Sequence, residues 1–97
     1  MSDLEAFAVK VLQTIEDVRR GCYFPEAVME PVMLSMDITE EEAIKALSYC
    51  IDQGWLSVKG RNPKFFLRPG YVAAFPVIIS QKGLEFLKQF KVGGESF

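Results

Sequence analysis

The chain of 97 residues contains no histidine and only two cysteines, Cys22 and Cys50. Without histidine, catalytic triads and other acid–base chemistry built on an imidazole are excluded. Zinc would have to be held by two cysteines and carboxylates, a ligand set that zinc sites rarely use, so we expect no metal and no cofactor. The two cysteines are predicted to be reduced and packed as small hydrophobic groups, with a redox pair as the alternative if they meet in space.

Long apolar runs are missing as well. No run approaches the ~18 residues that a membrane span needs, and the opening MSDLEAF lacks the basic and then apolar pattern of a signal peptide. We therefore expect no membrane association and a cytoplasmic location. Apolar residues at 49% and charged residues at 25% are typical of a folded domain. We predict one domain over residues 1–92 and a flexible tail over 93–97.

Features of common enzyme sites are also lacking. No glycine-rich phosphate loop follows a predicted strand, since Gly60 and Gly70 are isolated. Glu40, Glu41 and Glu42 are consecutive on a predicted helix, so their carboxylates point in different directions and do not form a catalytic pair. We therefore predict a protein that is not an enzyme.

Charge is unevenly distributed along the chain. Residues 1–55 contain 4 basic and 11 acidic side chains, whereas residues 56–97 contain 7 basic and 2 acidic ones. The net charge of −2 therefore combines an acidic front with a basic back. Such a chain has an electrostatic dipole if the two halves stay separate in space.

Helical periodicity and capping signals define the N-terminal half. Apolar residues at helical spacing predict a first helix over residues 3–20. The segment 25–36 is helical but contains Pro31, so we expect a kink or two short helices that meet near Glu30. Thr39 followed by Glu42 is a capping box that starts a third helix, and Gly54 ends it.

The second half favours strands and one more helix. Residues 55–59, 64–68 and 71–79 are β-prone and are separated by turns. Pro76 means that the last strand lies at a sheet edge or begins there. Ser80 is a predicted cap for the final helix. These signals predict a small antiparallel sheet of two or three strands followed by that helix.

The order of these elements and three local segments resemble the winged helix-turn-helix superfamily. The segments are Ser35–Glu42 (the turn), Asp52–Leu56 (the passage into the wing) and Ile79–Leu87 (the segment after the wing). The resemblance covers residues 3–91 and implies an α+β fold with three N-terminal helices, a small antiparallel β-sheet wing and a C-terminal helix. It also implies a small transcription regulator that binds DNA. Pro31, a long wing and an acidic third helix depart from the family pattern.

The third helix has the wrong charge for a helix that reads DNA. Its first turn is Glu40, Glu41 and Glu42, which repel phosphate but stabilise the positive end of the helix dipole. Its exposed face is predicted to be Glu41, Lys45, Ser48, Tyr49 and Asp52.

The basic segment offers the better nucleic-acid signal. Between residues 59 and 82 there are five basic side chains and no acidic one, and aromatic residues interleave with them. Such side chains grip phosphates or stack on bases, although a solvated hairpin with its aromatic rings on the core is the alternative. We expect double-stranded DNA as the ligand and predict that the contacting residues are Lys45, Ser48, Tyr49, Lys59, Arg61, Lys64 and Arg68.

A second hypothesis makes the chain a non-enzymatic protein-interaction module that uses the acidic third-helix face. The apolar residues of the last helix cover a wider arc than one core requires. This arc predicts a homodimer that pairs through Leu84, Phe86, Leu87 and Phe90.

Overall fold

The computed structural model describes residues 3–57 and 63–94, and their side chains except at 63, 64 and 90–94. Within those ranges the chain forms four α-helices and three short 3₁₀ helices but no β-strand. The α-helices are α1 (Asp3–Arg19), α2 (Met29–Met36), α3 (Glu40–Asp52) and α4 (Gln81–Gly94). The 3₁₀ helices span Pro25–Ala27, Pro63–Phe66 and Val72–Ala74. The predicted α+β fold with a β-sheet wing is therefore wrong, and the described chain is helical.

The pair α1 and α3 makes the most extensive contact between helices. Small residues on both helices allow the close approach, and the Cys50 Sγ lies 3.8 Å from the Ala8 carbonyl oxygen. Complete burial of a leucine side chain such as Leu12 or Leu47 stabilises a fold by about 1.5–3 kcal/mol. The predicted first helix is confirmed to within one residue at its end.

The predicted capping box of α3 is present. Thr39 Oγ1 accepts from the Glu42 N–H at 3.2 Å, and Glu42 Oε1 accepts from the Thr39 N–H at 2.9 Å. The next residues after α3 turn at Gly54, whose φ of 77° lies in the left-handed region that favours glycine. Both ends of the predicted third helix are therefore confirmed.

Pro31 lies in the first turn of α2 and does not break it. Two short helical segments are present as expected, but they meet at Val28 rather than near Glu30. Because the first turn of a helix has no carbonyl to receive its N–H groups, a proline there loses no hydrogen bond.

The segment from Pro63 to Ser80 does not form the predicted sheet because its backbone donors go elsewhere. The Gly70 N–H donates to Glu40 Oε2 at 2.8 Å, and the Val77 N–H donates to the Pro25 carbonyl at 3.1 Å. Prolines 63, 69 and 76 have no N–H to offer. The predicted strands 64–68 and 71–79 are replaced by 3₁₀ turns and irregular chain.

One isolated antiparallel bridge, Leu56 with Ile79, is the β-pairing found within the described ranges. The Ser57 N–H donates to the Ile78 carbonyl at 2.7 Å, and the Ser80 N–H donates to the Trp55 carbonyl at 2.9 Å. The rest of the predicted strand 55–59, residues 58 and 59, lies outside the described residues. The bridge fixes the start of α4 beside the end of α3.

Ser80 caps α4 as predicted. Its Oγ accepts from the Gly83 N–H at 3.1 Å and donates to the Gly54 carbonyl. Residues 95–97 of the predicted tail lie outside the described residues. None of the helices in the described ranges is long and apolar enough to cross a membrane.

Candidate binding surfaces

An exposed arginine–aromatic cluster consists of Phe65, Arg68 and Tyr71. The Arg68 guanidinium carbon lies 4.8 Å from the centre of the Phe65 ring and 5.8 Å from that of Tyr71. The two rings are 5.5 Å apart and tilted by 60°. Phe65 is 49% exposed and Tyr71 45% exposed, so the cluster presents both a cation and aromatic surface to solvent.

The cluster is attached to the start of α3. Gly70 lies between Arg68 and Tyr71, and its backbone N–H donates to the Glu40 carboxylate. The turn depends on glycine because the φ of Gly70 is 87°. The first helical residue of α3 therefore holds the loop that presents the cluster.

The structure describes only some of the predicted nucleic-acid contacts. Lys59 and Arg61 lie outside the described residues, and Lys64 lies in a 3₁₀ helix with its side chain outside the description. Arg68 belongs to the cluster. On α3, Lys45 is exposed, whereas Ser48 and Tyr49 are partly buried.

Tyr49 lies in an acidic environment. Partial burial and the nearby carboxylate of Glu5, which hydrogen-bonds to it, raise the pKa of Tyr49 above its usual value of 10.0. The ring also packs 5.8 Å from Trp55. A hydroxyl beside a carboxylate is poorly placed to meet a phosphate, since the carboxylate repels it.

The three glutamates at the start of α3 have different roles. Glu40 accepts the Gly70 N–H, and Glu42 completes the capping box. Glu41 remains exposed, as does Asp52 at the other end of the helix. Two of the three carboxylates therefore stabilise the chain's own backbone, and the outer face of α3 keeps an acidic character.

The residues of the predicted dimer contact on α4 also serve the chain's own packing. Leu87 is only 3% exposed and belongs to the core. Phe86 stacks on Trp55 with ring centres 4.3 Å apart and an angle of 17°. Leu84 is partly buried, and the side chain of Phe90 lies outside the description. Whether α4 pairs with a second copy stays a prediction.

An apolar groove, which the sequence does not predict, runs between the link after α1 and the extended residues before α4. It consists of two open cavities that share Pro25 and Ile78. The first, of 250 Å³, is bounded by Arg19, Cys22, Tyr23, Phe24, Val28 and Leu84. The second, of 560 Å³, is bounded by Glu26, Phe66, Ala74 and Pro76.

Two large aromatic residues project beside this groove. Tyr23 is 96% exposed and Phe24 is 63% exposed. The sequence signal was their position between a helix-ending glycine, Gly21, and Pro25, which places adjacent aromatics in a loop. Loop aromatics of this kind are candidates for binding, because loops lie on the surface and often hold functional residues.

No group of three or more metal-ligating side chains occurs in the part of the chain that the structure describes. Comparison with protein-family models, curated proteins and solved structures gave no match. The surfaces described above are therefore the basis for any functional assignment.

Proposed function

We propose that the chain is a non-enzymatic nucleic-acid-binding module in which the arginine–aromatic cluster makes the leading contact. The observation that supports this is the position of Arg68 over two half-exposed rings, inside a segment with five basic and no acidic residues. The proposal includes a cytoplasmic location, which suits two cysteines that remain free.

The cluster combines the two interactions that unpaired strands require. The guanidinium of Arg68 offers several N–H donors in a fixed plane, which suits phosphate oxygens, and the rings hold that plane in place. Exposed aromatic faces stack on bases, and each stacked base is worth about 1–3 kcal/mol. Lys59, Arg61 and Lys64 would add phosphate contacts along the same segment.

The ligand is expected to contact this loop rather than the outer face of α3. Glu41 and Asp52 are exposed there with a single lysine, Lys45, and Glu5 lies beside Tyr49. Phosphates approaching that face therefore meet more negative than positive charge. Duplex DNA is the ligand expected from the sequence, whereas stacking favours single strands, so both are used in the test.

The test measures fluorescence anisotropy of labelled single-stranded and duplex oligonucleotides at several salt concentrations. We expect Arg68→Gln to weaken binding about fivefold or more and to reduce the salt slope by about 0.7–0.9 for one lost phosphate contact. Lys10→Gln is the matched control, because it removes one positive charge from an exposed position on α1. The double variant Arg61→Glu with Lys64→Glu tests the rest of the segment. Wild-type affinity in the Arg68 variant would overturn the leading role of the cluster, and wild-type affinity in the double variant as well would overturn nucleic-acid binding by this segment.

A protein-interaction role is the second candidate, and the acidic outer face of α3 supports it. The exposed carboxylates of Glu41 and Asp52 and the Glu5–Tyr49 contact form a surface that suits a basic partner. A lysine-rich peptide, titrated at low salt, should bind the wild type and lose affinity for Glu41→Lys with Asp52→Lys. Equal affinity for both proteins would remove this candidate.

A further inference from the structure

We propose that the apolar groove is the interface of a two-fold symmetric dimer of this chain. This inference does not depend on nucleic-acid binding. It places the contact between copies at the link after α1, on a different surface from the α4 arc that the sequence suggested, although Leu84 borders both.

The first observation is the exposed apolar surface around the groove. Tyr23, Phe24 and Ile78 are 96%, 63% and 49% exposed, and the two cavities meet at Ile78. Single exposed apolar residues are ordinary, but a contiguous patch on a small domain marks a contact surface.

The second observation is that projections and depressions occur on the same surface. Two aromatic side chains project next to cavities of 250 and 560 Å³. When two copies meet, the projecting side chains of each can fill the cavities of the other. Such self-complementarity is the condition for an isologous interface.

The third observation is the charge at the two ends of the groove. Arg19, which borders the first cavity, pairs with the buried carboxylate of Glu16 at 2.8 Å, and Arg20 pairs with the same carboxylate at 3.4 Å. Two guanidinium groups share this one carboxylate, so Glu16 does not neutralise both, and Arg19 brings positive charge to the first cavity.

The lining of the second cavity contains an acidic residue. Glu26 borders the second cavity, is exposed, and forms no ion pair within the described part of the chain. A two-fold axis near Pro25 and Ile78 would bring the Arg19 end of each copy to the Glu26 end of the other. The contact would then contain the same complementary pair twice.

This charge arrangement favours a second copy over a partner that has charges of only one sign. A basic or acidic peptide would match one end of the groove and oppose the other, whereas an inverted copy of the same surface matches both. Phe66 borders the groove and its neighbour Phe65 belongs to the arginine–aromatic cluster. A dimer formed here would therefore present two such clusters.

The main test is sedimentation velocity of the full chain from low to high micromolar concentration. We expect a concentration-dependent dimer, and Phe24→Asp should weaken it about tenfold or more by placing a charge in the apolar contact. Leu34→Asp is the matched control, because Leu34 is 75% exposed and does not border the groove. A wild type that stays monomeric throughout, or a dimer that Phe24→Asp leaves unchanged, would overturn the proposal.

Charge exchange tests the symmetry. Arg19→Glu and Glu26→Arg should each reduce self-association, and a mixture of the two should form dimers, since both end-to-end pairs become complementary again. Circular dichroism checks that Arg19→Glu folds, because Glu16 then keeps only Arg20. Absence of any recovery in a mixture of folded variants would overturn the two-fold arrangement.

Thiol labelling gives a second readout in the wild type. Cys22 borders the groove, whereas Cys50 is fully buried, so labelling of the native protein reports on Cys22. Its rate should fall as protein concentration rises, and this fall should be lost in Phe24→Asp. The labelling rate of Cys22 is measured at concentrations where sedimentation shows dimers. If it does not depend on protein concentration there, the interface lies elsewhere.

Discussion

At the scale of single residues, Gly83 shows how closely α4 approaches the chain it packs on. A Cβ at this position would overlap the backbone carbonyl of Trp55 and would lie 2.9 Å from Ile79 Cγ2. The segment Ile79–Leu87 of the sequence contains this glycine, but the requirement for glycine at this position is visible only in the packed structure. Backbone cannot move aside as a flexible side chain does.

We predict that Gly83→Ala destabilises the fold by about 1–3 kcal/mol through overpacking. The intrinsic helix propensity of alanine would favour the change by about 1 kcal/mol. The measured loss in free energy of unfolding is therefore smaller than the steric cost of the added Cβ. Urea unfolding measures the effect. Gly21→Ala is the matched control, because a Cβ there would lie 3.8 Å from the Val18 carbonyl oxygen, an ordinary contact. If Gly83→Ala and the wild type were equally stable, α4 would be able to move away from Trp55 without a cost in stability.

Cys50 is the residue whose ionisation is most affected by folding. Burial raises the pKa of its thiol from 9.0 to about 12. Because the folded protein holds this proton more tightly than the unfolded chain does, the stabilising effect is complete below pH 9 and is lost as pH rises toward 12.

We predict that the free energy of unfolding falls over that window by about 1.4 kcal/mol per pH unit for this one proton. Tyrosines and lysines titrate in the same range, so the measurement is the difference between wild type and Cys50→Ala in urea unfolding at successive pH values. The wild-type curve should be steeper. Parallel curves would show that the thiol ionises equally in both states.

At the scale of elements, the helices were predictable and the sheet was not. α1 and α3 follow from apolar spacing and from capping residues that lie within a few positions of one another. The prediction of strands over residues 64–68 and 71–79 is wrong because the backbone of this segment has hydrogen-bond partners that are distant in sequence. The Gly70 N–H donates to Glu40 and the Val77 N–H donates to Pro25, and no local sequence pattern predicts either hydrogen bond.

The capping box of α3 gives a test at this scale. We predict that Thr39→Ala costs about 1 kcal/mol, because the Glu42 N–H loses its acceptor. Thr14→Ala is the matched control: the Thr14 hydroxyl bonds to the Lys10 carbonyl in the middle of α1, where alanine is the better helix former. Urea unfolding should separate the two variants. An equal effect of both would mean that the cap contributes nothing beyond helix propensity.

At the scale of the whole molecule, a candidate binding surface is predictable from the sequence only where its residues lie in one segment. The basic and aromatic composition of residues 59–71 is visible in the sequence, whereas the position of Arg68 against Phe65 and Tyr71 is visible only in the structure. The groove was not foreseen, because the loop at Pro25 meets the extended chain at Ile78 only after the helices have packed. Surfaces assembled from distant segments need the tertiary structure.

Trp55 connects the separate parts of the molecule and provides the last prediction. It is the single tryptophan of the chain, is 5% exposed, and contacts Tyr49 of α3 and Phe86 of α4. If the helices unfold as one unit, tryptophan fluorescence and far-ultraviolet circular dichroism give the same urea midpoint and slope. We expect coincident transitions in the wild type.

The variant Phe86→Leu should alter the tryptophan emission of the folded protein, because the ring contact with Trp55 is lost. It should also lower the urea midpoint, while both signals still coincide because the core remains. A fluorescence transition that precedes the loss of helix would show instead that α4 separates from α3 before the rest of the protein unfolds.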